Sequence, residues 1–276
     1  MKIVGNGTKT AQKRIKIQKS GIYICICHFF FVSLPRIWRK TILNENQEIR
    51  KVRRKVFKNP FLREVTYVFN IEATSIFDSK VSELENFVKG FSLKTNQIDS
   101  DGFKAVLATK DGLDILLTSR LLTMRVNIKE YKNYDVFKEF LIPFVLGFTR
   151  ILNVEKIDNS IILKRSEFVL QRDNEVAKKM SIRQYCEMLF SPIFLNAYSN
   201  KGVQKNARGV KVSAEYTATS NDNALKVELL IGSMMYQIIK EEDVQQELSN
   251  ANDAIFDMWS YTISKTVKDV LAKEEE

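Results

Sequence analysis

The sequence predicts an α+β fold: an antiparallel sheet, made of a β-meander plus a hairpin, with amphipathic helices packed on one face and a helix at the C-terminus. Three observations lead there. Apolar and polar residues alternate in several short runs with brief connections between them, as in half-buried antiparallel strands. Segments of helical period separate those runs. A composition that is 45% apolar and 11% aromatic supplies enough side chain for a packed core.

Taken in order, Val65, Tyr67, Phe69 and Ile71 alternate with Glu64, Thr66, Val68 and Asn70, which predicts a first strand. Val81, Leu84, Phe87, Val88 and Phe91 fall at helical spacing, with Asp78 or Ser79 as N-cap and Gly90 near the stop. Phe103–Thr109 and Leu113–Ser119 flank Lys110-Asp111-Gly112, whose Asp-Gly pair suits the positive φ angles of a tight hairpin. A further strand puts Leu122, Met124, Val126 and Ile128 on one side, completing a meander with one wet face.

Asn133 caps a long helix bearing Val136, Phe137, Phe140, Leu141, Phe144, Phe148, Ile151 and Leu152, with Pro143 expected to kink it. Ile157–Leu170 reads as a strand, and Ser181 with Gln184 as a capping box opening a short helix through Phe190. Val210–Thr217 and Leu225–Leu229 form a second hairpin around Asn221-Asp222-Asn223. Asn250 or Asn252 caps a last helix carrying Ile255, Trp259, Ile263, Val267 and Leu271. Two arrangements fit this order: a ferredoxin-like β-α-β-β-α-β unit over 61–170, or a single sheet gripping the C-terminal helix. No short internal repeat stands out.

Charge divides the chain more sharply than hydropathy does. The formal net charge is +10, yet residues 1–58 hold 15 Lys+Arg against two acids, a net of +13. Residues 59–276 hold 28 against 31, a net of −3. The sequence therefore reads as a basic N-terminal arm, 1–58, followed by a single α+β domain, 59–276, with the boundary at Asn59-Pro60. The arm's apolar run Ile22–Leu34 has 13 residues. As a helix it spans about 20 Å against a hydrocarbon core of roughly 30 Å, so a membrane partner is disfavoured. Two readings of the arm stay open: upstream sequence translated from a misplaced start, or a disordered basic segment that neutralises phosphates. No Met stands between Met1 and Met124 to supply a later start.

Candidate chemistry is sparse. Three cysteines make no disulfide framework and point to a reducing cytoplasm. Cys25-x-Cys27 with His28 falls short of a four-ligand zinc set. Cys186 has no His in the domain to activate it, which disfavours Cys–His and Ser–His–Asp mechanisms. Asp114 with Glu130-x-Lys132 matches the acid…Glu-x-Lys layout of metal-dependent nucleases, in which carboxylates hold Mg²⁺. Asp99 with Asp101-Gly102 reads as a turn. No Gly-rich phosphate loop occurs, and no cofactor, metal or catalytic residue is assigned.

Over 59–276 the chain resembles a sporadically distributed prokaryotic family of conserved proteins with no assigned function. The resemblance rests on Asn59-Pro60-x3-Glu64-Val65, the Lys110-Asp111-Gly112 hairpin, Tyr131-x2-Tyr134-x2-Phe137 before the long helix, an Ile-rich strand, and a terminal helix like Ile255–Leu271. Members tend to carry Trp at the place of Tyr134, and an Arg-Tyr-Ile-Asn-like strand where Lys164-Arg165-Ser166-Glu167-Phe168 stands here. The resemblance implies an order of elements and no catalytic residues.

The function expected from the sequence is a cytoplasmic, non-catalytic domain that binds a small molecule or a protein. The alternative is a nucleic-acid-associated protein using Lys51, Arg53, Arg54, Lys55 and Lys58, with metal-dependent nuclease activity as its extension.

Overall fold

The structure is a computed structural model and describes residues 48–52, 61–100, 103–199, 202–238 and 241–273. Among these residues the chain runs β1 (Leu62–Ile71), α1 (Phe77–Gly90), β2 (Lys94–Ser100), β3 (Phe103–Lys110), β4 (Leu113–Leu117), β5 (Leu121–Asn127) and α2 (Tyr134–Ile151). It continues as β6 (Ile157–Gln171), then α3 (Glu175–Lys179), α4 (Ile182–Leu189) and α5 (Pro192–Ala197). β7 (Val203–Ala207), β8 (Val210–Ser220) and β9 (Ala224–Ile238) follow, and α6 (Glu241–Thr262) and α7 (Lys265–Lys273) close the fold. The nine strands form one antiparallel sheet in the order β2-β3-β4-β5-β1-β6-β9-β8-β7. This is the α+β class the patterning predicts, with helices on one face and at the C-terminus.

Strand register shows which face the helices cover. Tyr67 of β1 stacks on Phe137 of α2 with ring centroids 5.5 Å apart. Lys164 of β6 donates to Asn252 of α6 at 2.6 Å. Tyr216 of β8 meets Phe190, just after α4, at 4.7 Å. Tyr67 pairs with Ile162, Lys164 with Ile231, and Ile231 with Ala214, so side-chain alternation puts all three contacts on the same side. The core lies between that face and the helices. Tyr67, Phe69, Phe77, Phe144, Phe148, Phe168, Phe190 and Phe194 are its largest fully buried side chains. Each contributes about 1.5–3 kcal/mol relative to exposure.

The sheet is built from two similar halves. In the first, β1 is followed by a helix, a meander whose last strand β5 returns to pair with β1, and the long helix α2. In the second, β6 is followed by short helices, a meander whose last strand β9 returns to pair with β6, and the long helix α6. The halves join through the antiparallel β1·β6 pair. Of the two sequence-based arrangements the single sheet is the one that forms, because four strands rather than two lie between α1 and α2. The first half ends at β2. In the second half the outer edge of β7 is met by Glu48–Arg50: Glu48 bridges Asn206, and the Ile49 amide donates to the Asn206 carbonyl at 2.8 Å.

Local departures from expectation have identifiable causes. α1 opens at Phe77 rather than after Asp78 or Ser79, because Phe77 is 1% exposed and draws the first turn onto the sheet. At the hairpin only Gly112 takes positive φ (75°), so Asp111 is not in the left-handed region. α2 spans Pro143, and Val136, expected on its apolar stripe, is exposed. α6 starts at Glu241, well before Asn250, since Val244, Leu248 and Ala251 extend its buried stripe backwards. Asn252 is thus a buried mid-helix residue and not a cap. The last helix also breaks after Thr262, and Ser264 accepts from the Val267 amide to start α7. Asp99 lies in β2 opposite Lys104, while Asp101 and Gly102, the rest of the expected turn, lie outside the described residues.

Candidate functional site

A cleft of about 580 Å³ lies between α4, α5 and β8. Its walls follow from local sequence. Ser181 and Gln184 close a complete capping box, which fixes the start of α4. Ser191 accepts from the Phe194 amide at 3.2 Å, and Pro192 occupies the first turn of α5, where a missing amide costs nothing. The joint between these helices is tied to the one between α6 and α7. The Ser191 amide donates to the Thr262 carbonyl (2.7 Å), the Ser264 amide to the Leu189 carbonyl (2.9 Å), and the Ser264 hydroxyl to the Met188 carbonyl (2.6 Å).

α4 contributes Ile182 and Cys186 to the cleft, with Arg183 and Glu187 at the rim; α5 contributes Pro192, Leu195 and Asn196. Tyr216 and the exposed Ala218 of β8 complete the lining. Arg183 Nε bonds Glu187 Oε1 at 2.9 Å across one helical turn, so the rim charges largely satisfy each other. Tyr216 is held by Phe190, and by Tyr198 at 4.5 Å between centroids. The Tyr198 hydroxyl donates to the Tyr216 carbonyl (3.1 Å) and accepts from the Tyr216 amide (3.2 Å).

Electrostatics keep the inner groups neutral. Burial pushes the Cys186 thiol above its ordinary range, and the Glu187 carboxylate adds to this. Burial likewise raises Tyr198 and Tyr216, and pushes the neighbouring Tyr185 up to about 12. A thiol so placed is a weak nucleophile, since the thiolate is the reactive form.

Of the residues singled out in the sequence, Lys51 is exposed beside the Glu48–Arg50 segment. Arg53, Arg54, Lys55 and Lys58 lie outside the described residues, as do Cys25, Cys27, His28 and the Ile22–Leu34 run. Asp114 sits on the face turned away from the described helices, opposite Arg125 and next to Glu64, which bonds Arg125 at 2.5 Å. Burial raises the Asp114 carboxyl; Arg125 works against this and Glu64 adds to it. Glu130 and Lys132 fall in the connection from β5 to α2. Among the described residues no group of three or more His, Cys, Asp or Glu side chains is placed to hold a metal ion. No helix there is long and apolar enough to cross a membrane.

The cleft itself was not legible beforehand. Only the Ser181/Gln184 box signalled α4, and nothing in the spacing of Tyr198 and Tyr216 reveals that the first caps the second.

No family model and no curated protein matches this chain. Among solved structures it is compared with an aspartate kinase from Clostridium acetobutylicum, at 8% identity and a TM-score of 0.20, over 70% of this chain and 33% of that one. A second is the ligand-free regulatory subunit of aspartate kinase from Thermus thermophilus, at 8% identity and a TM-score of 0.18, over 75% of this chain and 99% of that one. The chain thus spans about a third of the first of these proteins.

Proposed function

We propose that this chain is a binding domain without catalytic activity of its own, and that its site is the cleft between α4, α5 and β8. The observation that carries this reading is the character of the cleft. A space of about 580 Å³ is walled by apolar side chains and by hydroxyl and thiol groups whose ionisation burial opposes. Small-ligand sites commonly measure roughly 300–1,000 Å³ with few polar groups. Ile182, Pro192 and Leu195 suit an apolar body, and Asn196 offers a neutral donor and acceptor at the wall. Acyl transfer through Cys186 is disfavoured, because a raised thiol pKa lowers the share of reactive thiolate.

The test is a fragment collection screened on the full chain by thermal midpoint, followed by the rate of Cys186 alkylation. Ligands are expected to raise the midpoint and slow alkylation saturably, and to do neither in Leu195→Trp. A collection yielding no compound that does both on the parent chain sinks the reading.

A further inference from the structure

We propose that the cleft takes an extended peptide, which adds as a strand to the open edge of β8 at Ala218–Ser220 and seats one apolar side chain between α4 and α5; this rests on the reading of the cleft as the binding site. β7 covers β8 only from Val210 to Ala214, whereas β8 continues to Ser220. Residues 217–220 are exposed.

Tyr198 shows which backbone groups face outward. Its hydroxyl both accepts from the Tyr216 amide and donates to the Tyr216 carbonyl. In an antiparallel strand both backbone groups of a residue point to the same side, and alternate residues share that side. Ala218 and Ser220 therefore turn their amide and carbonyl groups the same way as Tyr216, away from β9. Asn221, one residue out of phase with them, donates its amide inward to Ala224 of β9 at 3.1 Å.

The edge thus reads as a line: β7 occupies it first, the Tyr198 hydroxyl imitates a strand at Tyr216, and the groups of Ala218 and Ser220 come next. These outward groups repeat at about 6.8 Å, two residues of extended chain. A peptide backbone matches that repeat, which a compact small molecule does not. Exposed edges are usually blunted by Lys, Pro or a bulge. Thr217-Ala218-Thr219-Ser220 carries neither Lys nor Pro, and its register with β9 is unbroken. Ala218 is also a cleft residue, so a bound strand at this position lies against Leu195 and Cys186.

The experiment selects a phage-displayed library of random heptapeptides on the full chain. Selected sequences are made as N-acetylated, C-amidated peptides and titrated by fluorescence anisotropy. Each is compared with a version N-methylated at alternate amides, which cannot pair with an edge. The variant is Ala218→Pro, which removes one outward amide while leaving the β9 ladder intact, so its thermal midpoint should stay near that of the parent. Binding is expected to weaken about tenfold or more on either change, the size of one lost hydrogen bond with its neighbours disturbed. Tight binding indifferent to both changes overturns the proposal. So does a selection with no binder while small fragments still protect Cys186, in which case the cleft remains a site for another ligand. If neither peptides nor fragments bind, both readings fall.

Discussion

Arg208 donates from Nε to Oδ2 of Asp257 at 2.7 Å, and it does so from left-handed backbone, at φ 52°. The Asp257 side chain is 0% exposed. Its other oxygen accepts from the Val52 amide at 2.7 Å, while Arg208 Nη2 donates to the Val52 carbonyl at 3.0 Å. One ion pair thus fastens a segment distant in sequence to the end of β7 and to α6. Truncating Arg208 leaves a carboxylate buried with much of its compensation gone, which typically costs about 3–5 kcal/mol. Arg208→Ala is expected to lower the free energy of unfolding by that order in urea titrations. A loss under about 1 kcal/mol would falsify the view that water cannot reach Asp257.

The same segment supplies a second test. Ile49 is 8% exposed and joins the main core, whereas Lys51 is exposed. Ile49→Ala is expected to destabilise the chain by about 2 kcal/mol or more, and Lys51→Ala by no more than about 0.5. Equal, small effects would mean that residues 48–52 rest on the domain without sharing its core.

These residues also mark where sequence reading stopped. Alternation marks β1, β5, β8 and β9, the Asp-Gly pair marks the β3–β4 hairpin, and an Ile-rich run marks β6. β3, β4 and β6 bury consecutive residues on both faces (Ala105–Ala108, Ile115–Leu117, Ser160–Leu163), so strict alternation is lost there. β2 (KTNQIDS) is an edge strand with one apolar residue, and β7 is short, so neither carries the period. Charge counting put Glu48–Val52 with a basic arm, since a backbone bridge to Asn206 and an amide bond to Asp257 leave no trace in side-chain type. The twofold resemblance of the halves was invisible for a related reason. It lies in strand order and pairing, while the side chains of corresponding strands differ.

Gly147 in α2 answers to a different neighbour. A methyl group there would lie 2.3 Å from Cε2 and 2.4 Å from Cζ of Phe87, whose ring packs on Phe91 and Phe144. Removing a mid-helix glycine should stabilise by about 1 kcal/mol, but overpacking costs about 1–3. Gly147→Ala is expected to be neutral to destabilising alone and stabilising in a Phe87→Leu background. The measurement is a double-mutant cycle by chemical denaturation. Additive effects would show that the ring moves aside freely.

On the face turned away from the described helices, Glu167 and Glu228 stand directly opposite each other on β6 and β9. Like charges so placed repel, but Lys226 Nζ lies 2.6 Å from Glu167 Oε2 and 2.8 Å from Glu228 Oε1. The hydrogen bond from Lys226 is the main cause holding the Glu167 carboxyl below its ordinary range; the charges of Lys226 and Arg63 act in the same sense, and partial burial acts against them. A carboxyl with a depressed folded pKa contributes stability that is full above its unfolded value, near 4.5, and is lost as pH falls through the folded value. Lys226→Met removes that contribution and leaves the two glutamates facing each other. The variant is therefore expected to be less stable than the parent at pH 7 by about 1 kcal/mol. The gap should close as pH is lowered from about 5 through the depressed folded value of Glu167, where its carboxyl takes up a proton in the parent as well. Thermal midpoints of the two chains across that range measure the gap, and one that stays constant would place the role of Lys226 in packing along the strand and not in its charge.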